Sequence, residues 1–294
     1  MRVLREMAAR AVLAALGIPV ILLLGWLGGW WWYAVVAAIT LVALGEFYSA
    51  CFAKGFRPPS LLAYAWALVL LVVAKQPPST AWPLFGIVLL AAAATIALRC
   101  LAPPRDEYIG SVATAVFGLV YLGGGLSFLL FLRNVDLPAW VGHPHVWSLS
   151  HRMGAVLLVS LAVWLSDTGA FAAGGWFGKH KLCPGLSPAK TVEGAVGGLF
   201  FTVLFVLLAG SLWLGLEVGE ALGLGFVIGV ACQLGDAVES AFKRDLGLKD
   251  FGTVLGPHGG VLDRFDGLLL AMPAAYVYLW LLLPGHASLL GLQP

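Results

Sequence analysis

The sequence predicts an all-α, polytopic integral membrane protein with about nine transmembrane helices. Three observations carry that reading. Of 294 residues, 61% are hydrophobic and only 11% charged, with a mean hydropathy of +0.94, whereas a soluble domain carries about 25% charged residues. The apolar runs reach about 20 residues, the length a helix needs to cross a hydrocarbon core of about 30 Å. They show no period-2 alternation, so helices rather than a closed barrel must satisfy the backbone in lipid.

Nine runs meet this description, at 11–29, 30–53, 60–74, 81–98, 111–132, 153–175, 195–216, 218–239 and 262–284. The first begins after Arg10 and continues to membrane length, which reads as a span rather than a cleavable signal. It meets the second at GWLGGWWW, a Trp-rich interfacial turn. The third is short and Leu-rich, and the seventh and eighth meet at LEVGE. No long hydrophilic stretch intervenes. The expected organisation is an N-terminal region, 1–150, of five spans and a C-terminal region, 151–294, of four spans with cytosolic loops.

Positive charge orients the chain, because cytosolic loops collect Lys and Arg. With the N-terminus in the cytosol, Arg2, Arg5, Arg10, Lys54, Arg57, Arg99, Arg105, Lys179, Lys181, Lys190, Lys243, Arg244, Lys249 and Arg264 all fall on that side. Only Lys75, Arg133 and Arg152 of the 17 basic residues fall outside. Small residues recur at four-residue spacing, as in Ala170/Gly174/Gly178, Gly194/Gly198 and Gly225/Gly229, and predict close helix packing. The four cysteines are isolated and point to neither a disulfide framework nor a zinc site.

Polar residues are distributed unevenly. Glu46 is the only acid within the first four spans and is read as a snorkelling or interhelical group rather than a catalytic one. RDEY at 105–108 reads as a solvated loop, and His143, His145 and His151 lack the spacing of a helical metal site. After residue 160 the pattern changes. Asp167, in LSDTGAF, lies at a span edge, where an isolated charge costs about 2.5–3.5 kcal/mol, so it must face a cavity, a partner or an ion. A loop with Ser187, Lys190, Thr191 and Glu193 follows. GGWFGKH is not a P-loop, since Ala173 stands at its first Gly position and His180 follows Lys179.

The eighth run ends in QLGDAVESAFKRD. If its helix continues, Asp236, Glu239, Ser240 and Lys243 recur at helical period on one face. A glycine-rich LGPHGG loop leads into the last run, which opens with Asp263, Arg264 and Asp266. Carboxylates at helix ends can hold Mg²⁺, a hard ion that retains water and phosphate in its shell. Lys243, Arg244, Lys249 and Arg264 can balance phosphate charge. Positive-inside topology accounts for those bases but not for Asp236, Glu239, Asp250, Asp263 and Asp266 crowding the mouth of two spans. The pattern favours a phosphate-and-metal site.

The stretch SAFKRDLGLKDFGTVLGPHGGVLDRFD, Ser240 to Asp266, resembles the signature of phosphatidate cytidylyltransferases (CDP-diacylglycerol synthases), with every specified position filled. SDTGAF and SPAKTVEG resemble further family segments in the expected order. The resemblance is firm from Ser166 to Asp266 and rests on hydropathy alone in the N-terminal half. It implies transfer of CMP from CTP to phosphatidate, giving CDP-diacylglycerol and pyrophosphate for phospholipid synthesis. By similarity, Asp236 and Asp263 would ligate Mg²⁺, with Asp266 in or beside that shell. Lys243, Arg244, Lys249 and Arg264 would hold substrate phosphates, and Ser187, Lys190 and Thr191 would line the nucleotide side. Asp167, Ser240, Asp250, His258, Gly259 and Gly260 complete the implied substrate-contacting set. His258 is expected to position phosphate or order the Gly259–Gly260 turn rather than act as a general base, since a phosphomonoester arrives already ionised near pH 7. A second cation would have a role, because a metal pair can stabilise both attacking and leaving oxygens.

The implied setting is the inner (plasma) membrane, with the N-terminus and active site cytosolic. The implied partners are CTP, phosphatidate and the bilayer, with no nucleic acid; a homodimer is compatible. Two rivals differ in kind. A CDP-alcohol phosphotransferase would need a D-G-x2-A-R…G…D…D pattern that LDRFDG does not supply. A transporter would line a path with Asp167, Asp236 and Asp263, but polar groups are missing from the outer half of the spans.

Overall fold

The computed structural model describes residues 19–76, 78–101, 108–135, 151–252, 254 and 259–282. Their architecture is that of a polytopic all-α membrane protein. Among the described residues, helices Gly29–Lys54, Thr80–Cys100, Tyr108–Arg133, Met153–Phe177, Val192–Leu214 and Val218–Leu246 are each long and apolar enough to cross a bilayer. Lipid-facing side chains such as Leu61, Ile87, Leu90, Phe200 and Leu208 stay exposed, as expected where the solvent is hydrocarbon.

The described chain starts in α1 (19–27), which turns sharply into α2 (Gly29–Lys54). Gly28 and Gly29 take φ of 64° and 55° there, a left-handed conformation that side chains other than glycine resist. The expected Trp-rich turn is therefore a glycine turn, and Lys75 Nζ sits 3.2 Å from the Trp30 ring centroid beside it. Helix α3 (Ser60–Ala74) matches its predicted bounds but has only 15 residues, about 22 Å of rise. Helices α4 (Pro78–Cys100) and α5 (Tyr108–Gly118) follow. A π-helical turn (Leu119–Gly124) then leads into α6 (Gly125–Arg133).

The C-terminal part holds α7 (His151–Phe177), strands β1 (Lys181–Cys183) and β2 (Ser187–Thr191), α8 (Val192–Leu214), α9 (Val218–Leu246) and α10 (Leu262–Leu282). The two strands form an antiparallel hairpin, with Lys181 opposite Thr191 and Cys183 opposite Ser187, where the sequence suggested only a loop. Helix α9 runs on to Leu246, so its polar residues do form one helical stripe. Arg2, Arg5, Arg10, Arg105, His143, His145 and His258, singled out in the sequence, lie outside the described residues.

The chain packs as two compact units. The first contains Met1–Leu130 and Asp245–Phe265, so the signature loop packs with the N-terminal spans; the second contains Phe131–Arg244 and Asp266–Pro294. In the first unit, Trp32, Val36, Leu44, Phe47 and Tyr48 of α2 are buried. The Tyr48 hydroxyl donates to the Ala115 carbonyl at 2.9 Å, and Trp32 Nε1 donates to that of Leu129.

In the second unit, α7 and α8 approach at backbone distance. A Cβ at Gly198 would lie 2.8 Å from the Ser166 carbonyl oxygen, and one at Gly197 would collide with the Ala173 Cβ. Helix α9 joins them through Gly225, where a Cβ would lie 2.8 Å from Val203 Cα, and through Gln233 Nε2, which donates to the Ala195 carbonyl at 2.9 Å. The small-residue spacings thus do serve close packing.

Candidate active site

In the second unit, a cavity of about 390 Å³ opens between α7, the β-hairpin, the start of α8 and α9. Its lining includes Ser166 and Asp167 from SDTGAF, Ser187, Lys190 and Thr191 from SPAKT, and Gln233 and Asp236 from α9. Five residues singled out in the sequence, spread over 70 positions, thus share one pocket.

Local chemistry explains how each arrives there. Thr191 caps α8: its backbone is extended, at φ −122° and ψ 154°, and its Oγ1 accepts the Gly194 N–H at 3.1 Å. A threonine ahead of an apolar run is a readable helix-start signal. Glu193, in the first turn, accepts the Lys179 and His180 N–H groups at 3.1 and 3.2 Å and meets His180 Nδ1 at 2.6 Å. This folds the end of α7 back over the start of α8. Gly174 leaves room for that cap, since a Cβ there would lie 3.0 Å from Thr191 Oγ1.

Lys190, one residue before the cap, forms an ion pair with Asp236 of α9. Arg244 Nε donates to the Leu186 carbonyl at 3.2 Å, so α9 holds the hairpin at both its strand and its turn. Farther down the stripe, Glu239 is 1% exposed and lies 3.0 Å from Lys243 Nζ. The Asp266 side chain adjoins Glu239. Their helices close together because a Cβ at Gly235 would lie 2.5 Å from the Asp266 carbonyl oxygen. Ser240 completes the stripe, half-buried.

In the first unit, the signature loop is built around two carboxylates. Asp263, in the first turn of α10, accepts the Gly260 N–H at 2.8 Å and the Phe251 N–H at 3.0 Å through Oδ2. Gly259 lies beneath at φ 80°, and a Cβ there would come within 2.9 Å of the same oxygen. The second carboxylate is Glu46. It accepts the Val261 N–H at 3.0 Å and the Leu262 N–H at 2.8 Å. Glu46 is 7% exposed, so it does not snorkel. Of the two roles read for it from the sequence, snorkelling or interhelical, the contacts fit the interhelical one, and its being the sole acid of four spans was the available signal. Lys249, Asp250 and Arg264 are exposed at this loop.

Among the described residues, no three His, Cys, Asp or Glu side chains converge as a ready metal cage. Mg²⁺ does not need one: it commonly takes one or two carboxylates and completes its shell with water and phosphate oxygens. Asp236 fits that donor type, lining the cavity with its charge facing the Lys190 ammonium. Asp263 is a carboxylate of the same donor type, with Oδ2 engaged by backbone N–H groups.

A sequence model described as the cytidylyltransferase family matches residues 8–282. The chain belongs to that family. Among its curated relatives is the phosphatidate cytidylyltransferase of Synechocystis sp., 33% identical over 293 residues that cover 94% of this chain and 97% of the relative. Phosphatidate cytidylyltransferases of Staphylococcus aureus and Staphylococcus epidermidis are 29% and 30% identical, covering 93% of this chain and 99% of each relative. Cytidylyltransferase membership spans the N-terminal half too, where the sequence resemblance rested on hydropathy alone.

Proposed function

We propose that this cytidylyltransferase transfers CMP from CTP to phosphatidate within the membrane, giving CDP-diacylglycerol and pyrophosphate. The observation that carries this reading is the cavity that gathers Asp167, Ser187, Lys190, Thr191 and Asp236 in a chain whose full-length relatives are named for that activity.

A phosphatidate oxygen attacks the α-phosphorus of CTP and forms the new phosphoanhydride bond. The bond from the α-phosphorus to the bridging oxygen breaks, and its electron pair leaves with pyrophosphate. The nucleophile's second pKa is about 6 by analogy with phosphoserine, so no strong general base is required. The difficulty is repulsion between two anions, which positioned cations and donors relieve.

Lys190, the N-terminus of α8 and the Ser187 hydroxyl form the nucleotide side of the cavity, where a helix N-terminus favours anions. Lys243 and Arg244 supply further charge from α9, and Lys249 and Arg264 from the signature loop. His258, Gly259 and Gly260 belong to that loop as positioning groups, with Asp250 and Ser240 as polar contacts. Asp236 and Asp263 are each assigned a Mg²⁺-ligand role on the strength of the signature, which also implies a supporting role for Asp266. Bound magnesium would neutralise phosphate charge and polarise the reacting phosphorus; a second cation would share that task. The inner membrane is the proposed setting, and the distribution of Lys and Arg supports placing the N-terminus and catalytic loops in the cytosol. A homodimer remains compatible with this arrangement.

Purified protein in detergent, given CTP, phosphatidate and Mg²⁺, should form CDP-diacylglycerol and pyrophosphate in equal amounts. Ion flux across sealed vesicles without CTP consumption would instead support a transporter and overturn this reading.

A further inference from the structure

Helix α2 holds the signature segment at both ends. At the start, Lys54 Nζ donates to the carbonyl oxygen of Asp245, in the last turn of α9. At the far end, the Glu46 carboxylate takes the Val261 and Leu262 N–H groups, the open donors where α10 begins. Each charge complements the helix end that it meets, cation on carbonyls and anion on amides. Glu46 and Lys54 are eight residues apart, close to two turns and so on similar faces of α2. Between them Phe47 rests against Phe251, with ring centroids 6.2 Å apart.

The fit around Glu46 is tight. A Cβ at Gly260 would lie 2.5 Å from Glu46 Oε2, and one at Gly252 would collide with Oε1. Both glycines therefore lie directly on this carboxylate. Gly260 also donates its N–H to Asp263. Through these shared residues, Glu46 sets the backbone on which Asp263 and Arg264 are carried.

We propose that Glu46 is a positioning residue for the transferase reaction, acting through the 251–263 loop rather than by touching substrate. The inference rests on the transferase reading above. A misplacement of about 1 Å can cost about 10²-fold in rate, so the effect belongs in kcat. Glu46 is not among the described residues that line the cavity, so KM for CTP should hold.

The test uses full-length protein in detergent with a nitroxide on V254C, native cysteines removed. Val254 is exposed and lies within the loop. Glu46→Gln keeps the shape but turns one acceptor into a donor facing a backbone N–H. The expected result is a fall in kcat of about 10- to 100-fold, KM for CTP within about threefold, and a more mobile label at 254. A control label at V218C, at the start of α9, should not change. Should Glu46→Gln fail to fold, Glu46→Asp retains charge and both acceptors one methylene short, and should give a smaller fall with the same mobility change. An unchanged kcat per folded molecule, or an unchanged label, in the variant that folds would overturn the inference; so would loss of folded yield alone. A wild-type protein that makes no CDP-diacylglycerol would overturn the transferase reading itself, and the catalytic role given to Glu46 with it.

Discussion

Lys190 and Asp236 form an ion pair that ties strand β2 to helix α9 across the candidate cavity. Neither residue is fully buried; the side chains keep 29% and 34% of their exposure. An exposed pair contributes little to stability, about 0–1 kcal/mol. Its placement suits ligand exchange instead, since phosphate can take Lys190 and a cation can take Asp236.

Removing either charge should accordingly leave folding intact and change function in different ways. Lys190→Met should raise KM for CTP about tenfold, equivalent to about 1.4 kcal/mol of binding, with a smaller change in kcat. Asp236→Asn should lower kcat by 100-fold or more. Steady-state kinetics with normal thermal unfolding checks both. Equal losses of stability in both variants would mark the pair as structural.

The hairpin also gives a direct topology test. Cys183 is exposed beside the cavity, whereas Cys51 and Cys232 are buried. In a Cys100→Ala background, an impermeant maleimide should label Cys183 only from the cytosolic side. A cysteine replacing exposed Glu217, past the far end of α8, should label only from outside. CTP with Mg²⁺ should slow labelling of Cys183 about fivefold or more if the cavity binds nucleotide with useful occupancy. Labelling of both positions from one side would remove α8 as a crossing.

How legible this was differs by element. Six spans could be read because a helix in lipid must be apolar for about 20 residues; α3 and α10, outside that six, start as helices where expected, at Ser60 and Leu262. The cavity was legible as three separate motifs but not as a pocket. The hairpin escaped because Lys181, Leu182 and Cys183 are all exposed, so burial imposes no alternation. The π-helical turn at Leu119–Gly124 has no periodic signature of its own. Glu46 was visible as an anomaly, but its hydrogen-bond partners lie 215 and 216 residues away, a pairing that one sequence does not encode locally.

The close approach of α7 and α8 predicts a steep response to small volume changes. Gly197→Val must push α7 away, because Ala173 already occupies the space. Overpacking of this kind costs about 1–3 kcal/mol. Gly86→Ala, where a Cβ meets nothing within 4 Å, should be neutral or stabilise α4 by up to about 1 kcal/mol. Thermal unfolding of the two variants in one detergent should separate them clearly. Equal midpoints would mean that the α7–α8 contact is loose.

Chelation separates the two acids proposed to hold the cation. EDTA should abolish turnover, and Mg²⁺ should restore it, if phosphate charge is neutralised by a divalent ion. Asp236 meets only the Lys190 side chain among its described hydrogen-bond and ion-pair contacts, so Asp236→Glu should chiefly move the Mg²⁺ requirement upward and recover activity as Mg²⁺ is raised. Asp263 has a second task, because its Oδ2 accepts both the Gly260 and Phe251 N–H groups. Asp263→Ala removes that acceptor altogether, and leaving a buried N–H unpaired costs about 1–3 kcal/mol. Raising Mg²⁺ cannot repair that loss, so Asp263→Ala should stay at least 100-fold below wild type at every concentration. Full recovery of Asp263→Ala by Mg²⁺ would limit its role to cation binding. Mg²⁺-independent turnover in EDTA-treated wild type would remove both acids from a metal shell.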